Sequence, residues 1–576
     1  MNKIKRYISF ILAFALIFSF QLTPVKAETS EVSGYRAVYG TDFVKASSTS
    51  MQTTFQAKYD PRNLGIMTSV KNQGVDGVCW SFAGLATLES FLKLKGYGDY
   101  DLSEEHAIWT ETQDSSGNGW VRQYNDGGYM QMIPGYLVSG LGPKLESEIP
   151  YNQTTKPSNM DTAKTIFDVS SIEYLPDDMN QIKEDILKEG AVASSYYYSK
   201  YYNSIDGKAY YCNNTYENNH GITIVGWDDN YSKDNFTGAV KPLVSGAWLV
   251  KNSWGTSTGE NGYNWISYQD SNLLKTGNGL LNYSIKSLAP HNPNRYIYQL
   301  DKYGAVGDFA LADSSGTAPS KIMYANVFDF TSQNNNLSSV IFESASKGTN
   351  YTVYYTSVVN GVPVMATNKM HELASGTVPY EGYINVEINN YTVPAGKGAI
   401  VIYLNDQTFS GNTVIGGEMN MQLSDGTSGY ISDASKGESF IKVNNTTTDV
   451  NSGQFGDIKV DFSIKAVTTK SVSTTSDNTA TAATVTQQSN DTTNQVATVT
   501  AQSGSDQTQN TGTNNETATN TASGSSTATI TQGSATQGGA EAKTGDSNNI
   551  AIYIIAVVIS LAGAGTFRFG KKSRKE

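Results

Sequence analysis

The seventy residues from 471 to 540 contain no aromatic side chain, no lysine and no arginine, and are mostly Ser, Thr, Asn, Gln, Ala and Gly. Such a run cannot bury enough apolar surface to offset the entropy lost on ordering, so it reads as disordered. A degenerate repeat passes through it: ATVTQQS from 483, ATVTAQS from 497 and ATITQGS from 528. Its role is reach. Drawn out, about 75 such residues span roughly 250 Å, and as a relaxed coil about 50 Å. The stalk is placed at 468–546, and whatever folds must lie before it.

The two ends of the chain read as targeting segments. Residues 1–27 combine Lys3, Lys5 and Arg6 with an apolar run and the small-residue site Val25-Lys26-Ala27, the pattern of a cleaved signal peptide. An uncleaved anchor is the competing reading, but the apolar run is shorter than the ~20 residues a span needs. Residues 547–567 carry no charge and are long enough to cross a bilayer. The basic tail 568–576 that follows marks the cytoplasmic side. The expected location is therefore extracellular, anchored at the cell surface. Before the span, EAKTGD (541–546) resembles the sorting signal of Gram-positive wall proteins, which implies a Gram-positive cell and a sortase acting at Thr544-Gly545. The usual Leu-Pro opening is replaced by Glu541-Ala542.

Between the ends lie about 440 residues, enough for two or three domains. Two cysteines in so long a secreted chain exclude a disulfide scaffold, so ordinary cores must hold the folded parts. The formal charge is −12, and loss of the leader's four cations makes it −16, which argues against nucleic acid as a partner. Residues 293–467 alternate apolar and polar positions in short runs such as KIMYANVFDF, YTVYYTS and GAIVIYL, separated by turn residues. That pattern predicts an antiparallel β-sandwich. Residues 56–288 mix helical and strand patterns and hold both cysteines, after a short segment, 28–55.

Cys79 opens CWSFAGLATLESFLKLK, whose Trp80, Phe82, Leu85, Leu88, Phe91 and Leu92 fit one buried face of a helix. A cysteine at a helix start meets unpaired N–H groups and the positive end of the dipole, both of which stabilise a thiolate. The chain has four histidines to serve as its base. His291 and His371 fall at or beyond the domain boundary, and His106 in LSEEH reads as part of an exposed helix start with Glu104 and Glu105. His220 opens a strand, and Asn252 downstream offers a side chain to orient its ring. A Cys79–Cys212 bridge is the competing structural reading.

The order Cys, His, Asn and six landmarks in sequence resemble the papain-like cysteine peptidases. The landmarks are NQGVDGVCWSFA, LSEEH, NDGGYM, GPKLESEIPY, NHGITIVGWDD and KNSWGTSTGENGY. The resemblance implies an α+β catalytic domain with a helical lobe and a β-barrel lobe. It implies Cys79 as nucleophile, His220 as its acid–base partner, Asn252 as the residue holding the ring and Trp254 as its shield. Gln73 and the Cys79 backbone N–H would form the oxyanion hole. Gly127 and Gly128 would pair with substrate backbone, and Met130, Asn219 and Gly221 would shape the pocket before the scissile bond. No catalytic cofactor or metal is implied. The family's cysteines three positions before the nucleophile and just before the Gly-Gly pair are here Asp76 and Asn125, and its long inhibitory prosegment has no counterpart.

A peptidase domain followed by a β-sandwich further resembles the clostridial wall-associated cysteine peptidases with a lectin-like domain. That resemblance implies protein or peptide substrates and opens the way to a glycan or matrix ligand. Some relatives hold structural calcium, for which Asp301 and Asp313 are the loop carboxylates, without any recognisable ligand spacing. The leading expectation is a surface endopeptidase. Its alternative is an adhesin or wall-binding protein with a secondary or silent peptidase domain, and acyl transfer to another amine is a third use of the same residues.

Overall fold

The structure is a computed structural model. It describes residues 36–40, 54–152, 155–277, 280–313, 315, 318–345, 347–405, 414–422, 428–456 and 458–470. The expected signal peptide, sorting signal, membrane span and basic tail lie outside these residues, as does the expected stalk from 471 on; its first residues, Thr468 and Thr469, instead end the strand Ile464–Thr469. Among the described residues no helix is long and apolar enough to cross a membrane.

The first region has a helical side made of α1 (Cys79–Leu94), α2 (Glu104–Thr110) and α3 (Met132–Val138). Helix α1 is buried along almost its whole length, not on one face only. Two of its hydroxyls are satisfied locally: Thr87 and Ser90 donate to the carbonyls of Ala83 (2.9 Å) and Ala86 (2.8 Å). At Gly84 a side chain would overlap Tyr283 and Ile133, so the helix packs closer there than any other residue allows. The opposite side is a sheet of strands Val192–Tyr196, His220–Asp228, Ala247–Lys251 and Tyr263–Ser267, antiparallel in that order. A fourth helix, α4 (Met179–Glu189), is capped by Asp178, whose carboxylate accepts from the N–H groups of Asn180 and Gln181.

The second region is a two-sheet sandwich, as the alternating pattern predicts. Strands Lys321–Phe330, Asn350–Val359, Gly396–Asn405 and Ser439–Val443 belong to one sheet. Strands Gly307–Ala312, Asn336–Ser344, Glu381–Thr392, Val414–Met419 and Ile464–Thr469 belong to the other. Inward residues such as Ile322, Tyr324, Phe342, Ile400, Ile402 and Phe462 interlock between them as one apolar core. Strand Arg295–Tyr298 pairs with Ile464–Thr469, so the region is closed by its own two ends.

Three features lie beyond the sequence patterns. The strand Arg36–Gly40, inside the short segment 28–55, pairs in register with Gly307–Ala312 and forms an edge of the second region. The two regions share one sheet, because Glu381–Tyr383 pairs with Ile172–Tyr174. They also share a core: Trp120, Ile133 and Tyr136 pack in one cluster with Tyr303, Tyr383 and Tyr430. Where the chain passes between regions, Asp168 accepts from the Asn292 N–H (2.9 Å) and lies 2.8 Å from His291 Nδ1.

Asp301 is not available as a calcium ligand in this arrangement. It is fully buried against Lys465 (2.9 Å), itself fully buried, and accepts from Ser463 Oγ at 2.5 Å. Asp313 accepts from Ser315, and among the described residues no group of carboxylates, histidines and cysteines has metal-binding geometry. Removing one partner of a buried pair strands the other charge, so Lys465→Met is expected to cost about 3–5 kcal/mol. Asp301→Leu combined with Lys465→Met should recover most of that loss. Urea unfolding of the three proteins checks both values.

Candidate active site

Cys79 occupies the first position of α1, and the preceding Val78 has no side chain that caps the helix. The thiol thus sits at the positive end of the helix dipole, with the Ser81 N–H turned back to the Val78 carbonyl at 3.1 Å. The helix start abuts the strand that begins with His220: a Cβ on Gly221 would come 3.2 Å from the Cys79 carbonyl oxygen. Four residues into the helix, the Ala83 carbonyl accepts from Thr223 Oγ1 at 2.9 Å, which sets the strand's register against α1.

His220 is 1% exposed. Its Nε2 lies 2.9 Å from Asn252 Oδ1, and that oxygen also accepts the Ser253 backbone N–H at 2.8 Å. Because the Ser253 donor identifies the oxygen, the imidazole must donate from Nε2. The neutral ring then keeps its lone pair on Nδ1, a buried atom that makes no hydrogen bond. Trp254 stacks on the imidazole at 4.3 Å and 21°, and Tyr196 and Tyr198 present edges or tilted faces to it. Burial in this aromatic surround pushes His220 down to about 4, and the Asn252 hydrogen bond opposes the shift.

Gln73 is fully buried and clamped at every polar group. Its Oε1 accepts from Ser253 Oγ (2.5 Å), its Nε2 donates to the Asp76 carbonyl (2.6 Å) and its backbone N–H donates to the Ser253 carbonyl (2.8 Å). These contacts fix the plane of the Gln73 amide beside the helix start. Gly127 has φ +86°, a left-handed conformation that favours glycine. At Gly128 a Cβ would overlap the Trp80 indole. Met130 is buried. Asn219 does not present a free side chain: its amide accepts from the Tyr198 N–H (2.7 Å) and donates to the Tyr198 carbonyl (3.1 Å).

Comparison with known proteins finds two family matches along the chain. Residues 55–280 match the model for papain family cysteine proteases, and residues 297–468 match that for a lectin like domain. The solved structure of the clostridial cysteine protease Cwp84 after propeptide cleavage is 43% identical, covering 72% of this chain and all of that one, with a TM-score of 0.66. The chain belongs to the papain family of cysteine proteases. A structure of the cysteine protease and lectin-like domains of Cwp84, described as a surface layer associated protein of Clostridium difficile, is 39% identical over 77% of this chain and 100% of that one, with a TM-score of 0.68. Among curated proteins, cysteine proteinase A of Leishmania mexicana is 28% identical over 41% of this chain and 61% of its own length. The probable cysteine protease RD19B of Arabidopsis thaliana is 32% identical over 36% and 56%. The chain thus spans less than two thirds of these curated relatives.

In this family member the two missing cysteines are replaced by a different link. Asn125 Oδ1 accepts the Gly77 N–H at 2.5 Å, joining the loop before Cys79 to the Gly-Gly loop. Cys79 and Cys212 are both buried and unbridged, so the structural disulfide is not formed. Glu104, Glu105 and His106 are buried, contrary to their reading as an exposed helix start. His106 Nδ1 lies 2.7 Å from Tyr136 Oη, and Glu105 accepts from Trp109 and Tyr124.

Sequence reasoning missed the charges beneath the site. Glu89, on α1, is fully buried; it accepts from Thr68 (3.0 Å) and the Leu102 N–H (3.0 Å) and pairs with Lys71 at 2.8 Å. Lys251 donates to the same Thr68 hydroxyl at 2.6 Å. Burial pushes Glu104 up to about 8, against the pull of Lys71. The signal was present in Lys71 and Lys251, each within two residues of a site residue, but nothing local marks them as partners of Glu89.

A Cys79 thiolate would hold the buried His220 ring protonated. In Cys79→Ala that charge is gone while the burial remains. The ring is then expected to titrate at about 4, well below the ordinary histidine value of about 6.5. NMR of the imidazole signals, four histidines in all, measures it directly.

Proposed function

We propose that this chain is a cell-surface endopeptidase that hydrolyses extracellular or wall proteins through Cys79, His220, Asn252 and Gln73. The observation that carries the reading is the His220–Asn252 hydrogen bond, which sets the tautomer with its base nitrogen free. His220 Nδ1 takes the Cys79 proton, and the thiolate sulfur attacks the scissile carbonyl carbon. The oxyanion is received by the Gln73 side-chain N–H and the Cys79 backbone N–H. As the C–N bond breaks, the imidazolium returns its proton to the leaving amine, leaving a thioester. His220 then deprotonates a water that attacks the thioester carbon, and the C–S bond breaks to release the acid and the thiol. No step requires a metal or organic cofactor.

Gly127 and Gly128 would hold the substrate backbone, with Met130 and Gly221 lining the preceding-residue pocket and Trp254 excluding water from the imidazole. Asn219 contributes to that pocket through Tyr198, whose backbone it braces. The domain limits proposed are 1–27 signal, 28–55 N-terminal segment, 56–288 peptidase, 293–467 lectin-like sandwich, 468–546 stalk, 547–567 span and 568–576 tail. The surface-layer association named for Cwp84 supports a location outside the cell. The lectin like match supports a second reading, in which residues 293–467 bind a glycan or matrix ligand and the peptidase is subsidiary.

An epoxide inhibitor of thiol proteases, incubated with the reduced protein, should label Cys79 rapidly. Cys79→Ala should abolish proteolysis. Gln73→Ala should keep the labelling yet lower kcat by about 10²–10³. Unchanged proteolysis in Cys79→Ala would refute the mechanism.

A further inference from the structure

The peptidase region lends one short strand, Gly119–Trp120, to a three-stranded sheet whose other members, Met421–Gln422 and Ser428–Ile431, come from the lectin-like region. Trp120 pairs with Tyr430 and Gly119 with Ile431, and the Val121 N–H donates to the Gly429 carbonyl at 3.0 Å. The Trp120 indole is buried, meeting the Tyr430 ring edge-on at 5.0 Å and the Tyr129 ring at 5.2 Å. Behind Gly119 stands Tyr303, also of the lectin-like region, which a Cβ would approach to 2.9 Å.

Two residues beyond Trp120 comes Arg122. Its guanidinium donates to four carbonyls: Gly127 (2.7 Å), Tyr124 (2.8 Å), Ile108 (3.0 Å) and Glu111 (3.1 Å). The same cation lies 5.2 Å from the centre of the Trp80 ring. Trp80 adjoins Cys79 and fills the space a Gly128 side chain would need. A continuous packed path therefore runs from Tyr430 through Trp120 and Arg122 to the Gly127–Gly128 strip and to the residue beside the nucleophile. A rigid fork with its donors spent on loop carbonyls holds that strip in one conformation only while its own strand is held.

We infer that the lectin-like region is a built-in wall of the peptidase cleft: strand Ser428–Ile431 seats Trp120, and Arg122 passes that placement to Gly127 and Gly128, so that the region governs binding of substrate residues upstream of the scissile bond. Arg122 and Tyr430 are positioning residues, acting through the glycine strip and not on the reacting atoms. This rests on the proposed role of Gly127 and Gly128. It assigns the second region a part in peptide recognition that is independent of any sugar.

The test uses the full chain and Tyr430→Ala, Arg122→Met and Tyr430→Phe. Two substrates are compared, a peptide with at least three residues before the scissile bond and a single-residue ester. Tyr430→Ala and Arg122→Met should raise KM for the peptide about tenfold or more. They should leave the ester's kcat/KM, and the rate of Cys79 alkylation by iodoacetamide, within about twofold. Tyr430→Phe, which keeps the ring on Trp120, should behave as the parent. Hydrogen exchange across residues 122–130 should quicken in Tyr430→Ala while α1 is unchanged. Should Tyr430→Ala melt early, Tyr430→Leu carries the same expectation with a smaller rise in KM. Equal losses on both substrates, or unchanged KM and exchange, would overturn the inference alone. A parent protein that neither turns over nor labels would overturn the peptidase reading and this inference with it.

Discussion

The Glu89 carboxylate, buried on the nucleophile helix, is the interaction on which the rest of the site depends. It binds Lys71 directly and meets Lys251 through the Thr68 hydroxyl. Lys71 stands two residues before Gln73, Lys251 one before Asn252, and Glu89 on the helix that Cys79 begins. One buried anion thus ties together the three segments that carry three of the four catalytic candidates, and His220 is brought in by the strand packed on that same helix. A carboxyl group buried in such a place needs donors in place of its water. The network therefore demands that all three segments be correctly seated at once.

Above this layer, hydrogen bonds set direction more than they add stability. Ser253 is the small residue with the largest effect, because its backbone N–H identifies the Asn252 oxygen and its hydroxyl orients the Gln73 amide. The orientation of the Asn252 amide and that of the Gln73 amide thus both depend on one residue next to Asn252. The Asn125–Gly77 hydrogen bond joins the loop before Cys79 to the Gly127–Gly128 loop. It serves without needing an oxidising environment.

The two folded regions are not independent beads. They share a sheet through Glu381–Tyr383, a core around Trp120, Tyr383 and Tyr430, and the buried strand pairing beside the glycine loop. The strand Arg36–Gly40 adds to this by covering the outer edge at Gly307–Ala312. Covering an edge strand satisfies backbone groups that would otherwise invite pairing with another chain. Residues 36–40 of the short N-terminal segment are thereby part of the sandwich.

Much of the candidate site was legible in the residues. Cys79 before an apolar helical run, His220 at a strand start and Asn252 within its landmark follow from local patterns, and the alternation from 293 to 467 already dictates a sandwich. These are short-range signals, carried by the 3.6 and 2 periodicities and by residue chemistry. What only the tertiary structure decided is which distant groups meet: Glu89 with Lys71 and Lys251, Asn219 with the Tyr198 backbone, Asp301 with Lys465, and Tyr430 with Trp120. Glu104 and His106 read as exposed because charge near a helix start is usually solvated; burial became possible only because Lys71 and Tyr136 arrive from elsewhere in the chain. Pairing of buried polar groups is a long-range requirement. The sequence determines that partners must exist, and the fold alone determines who they are.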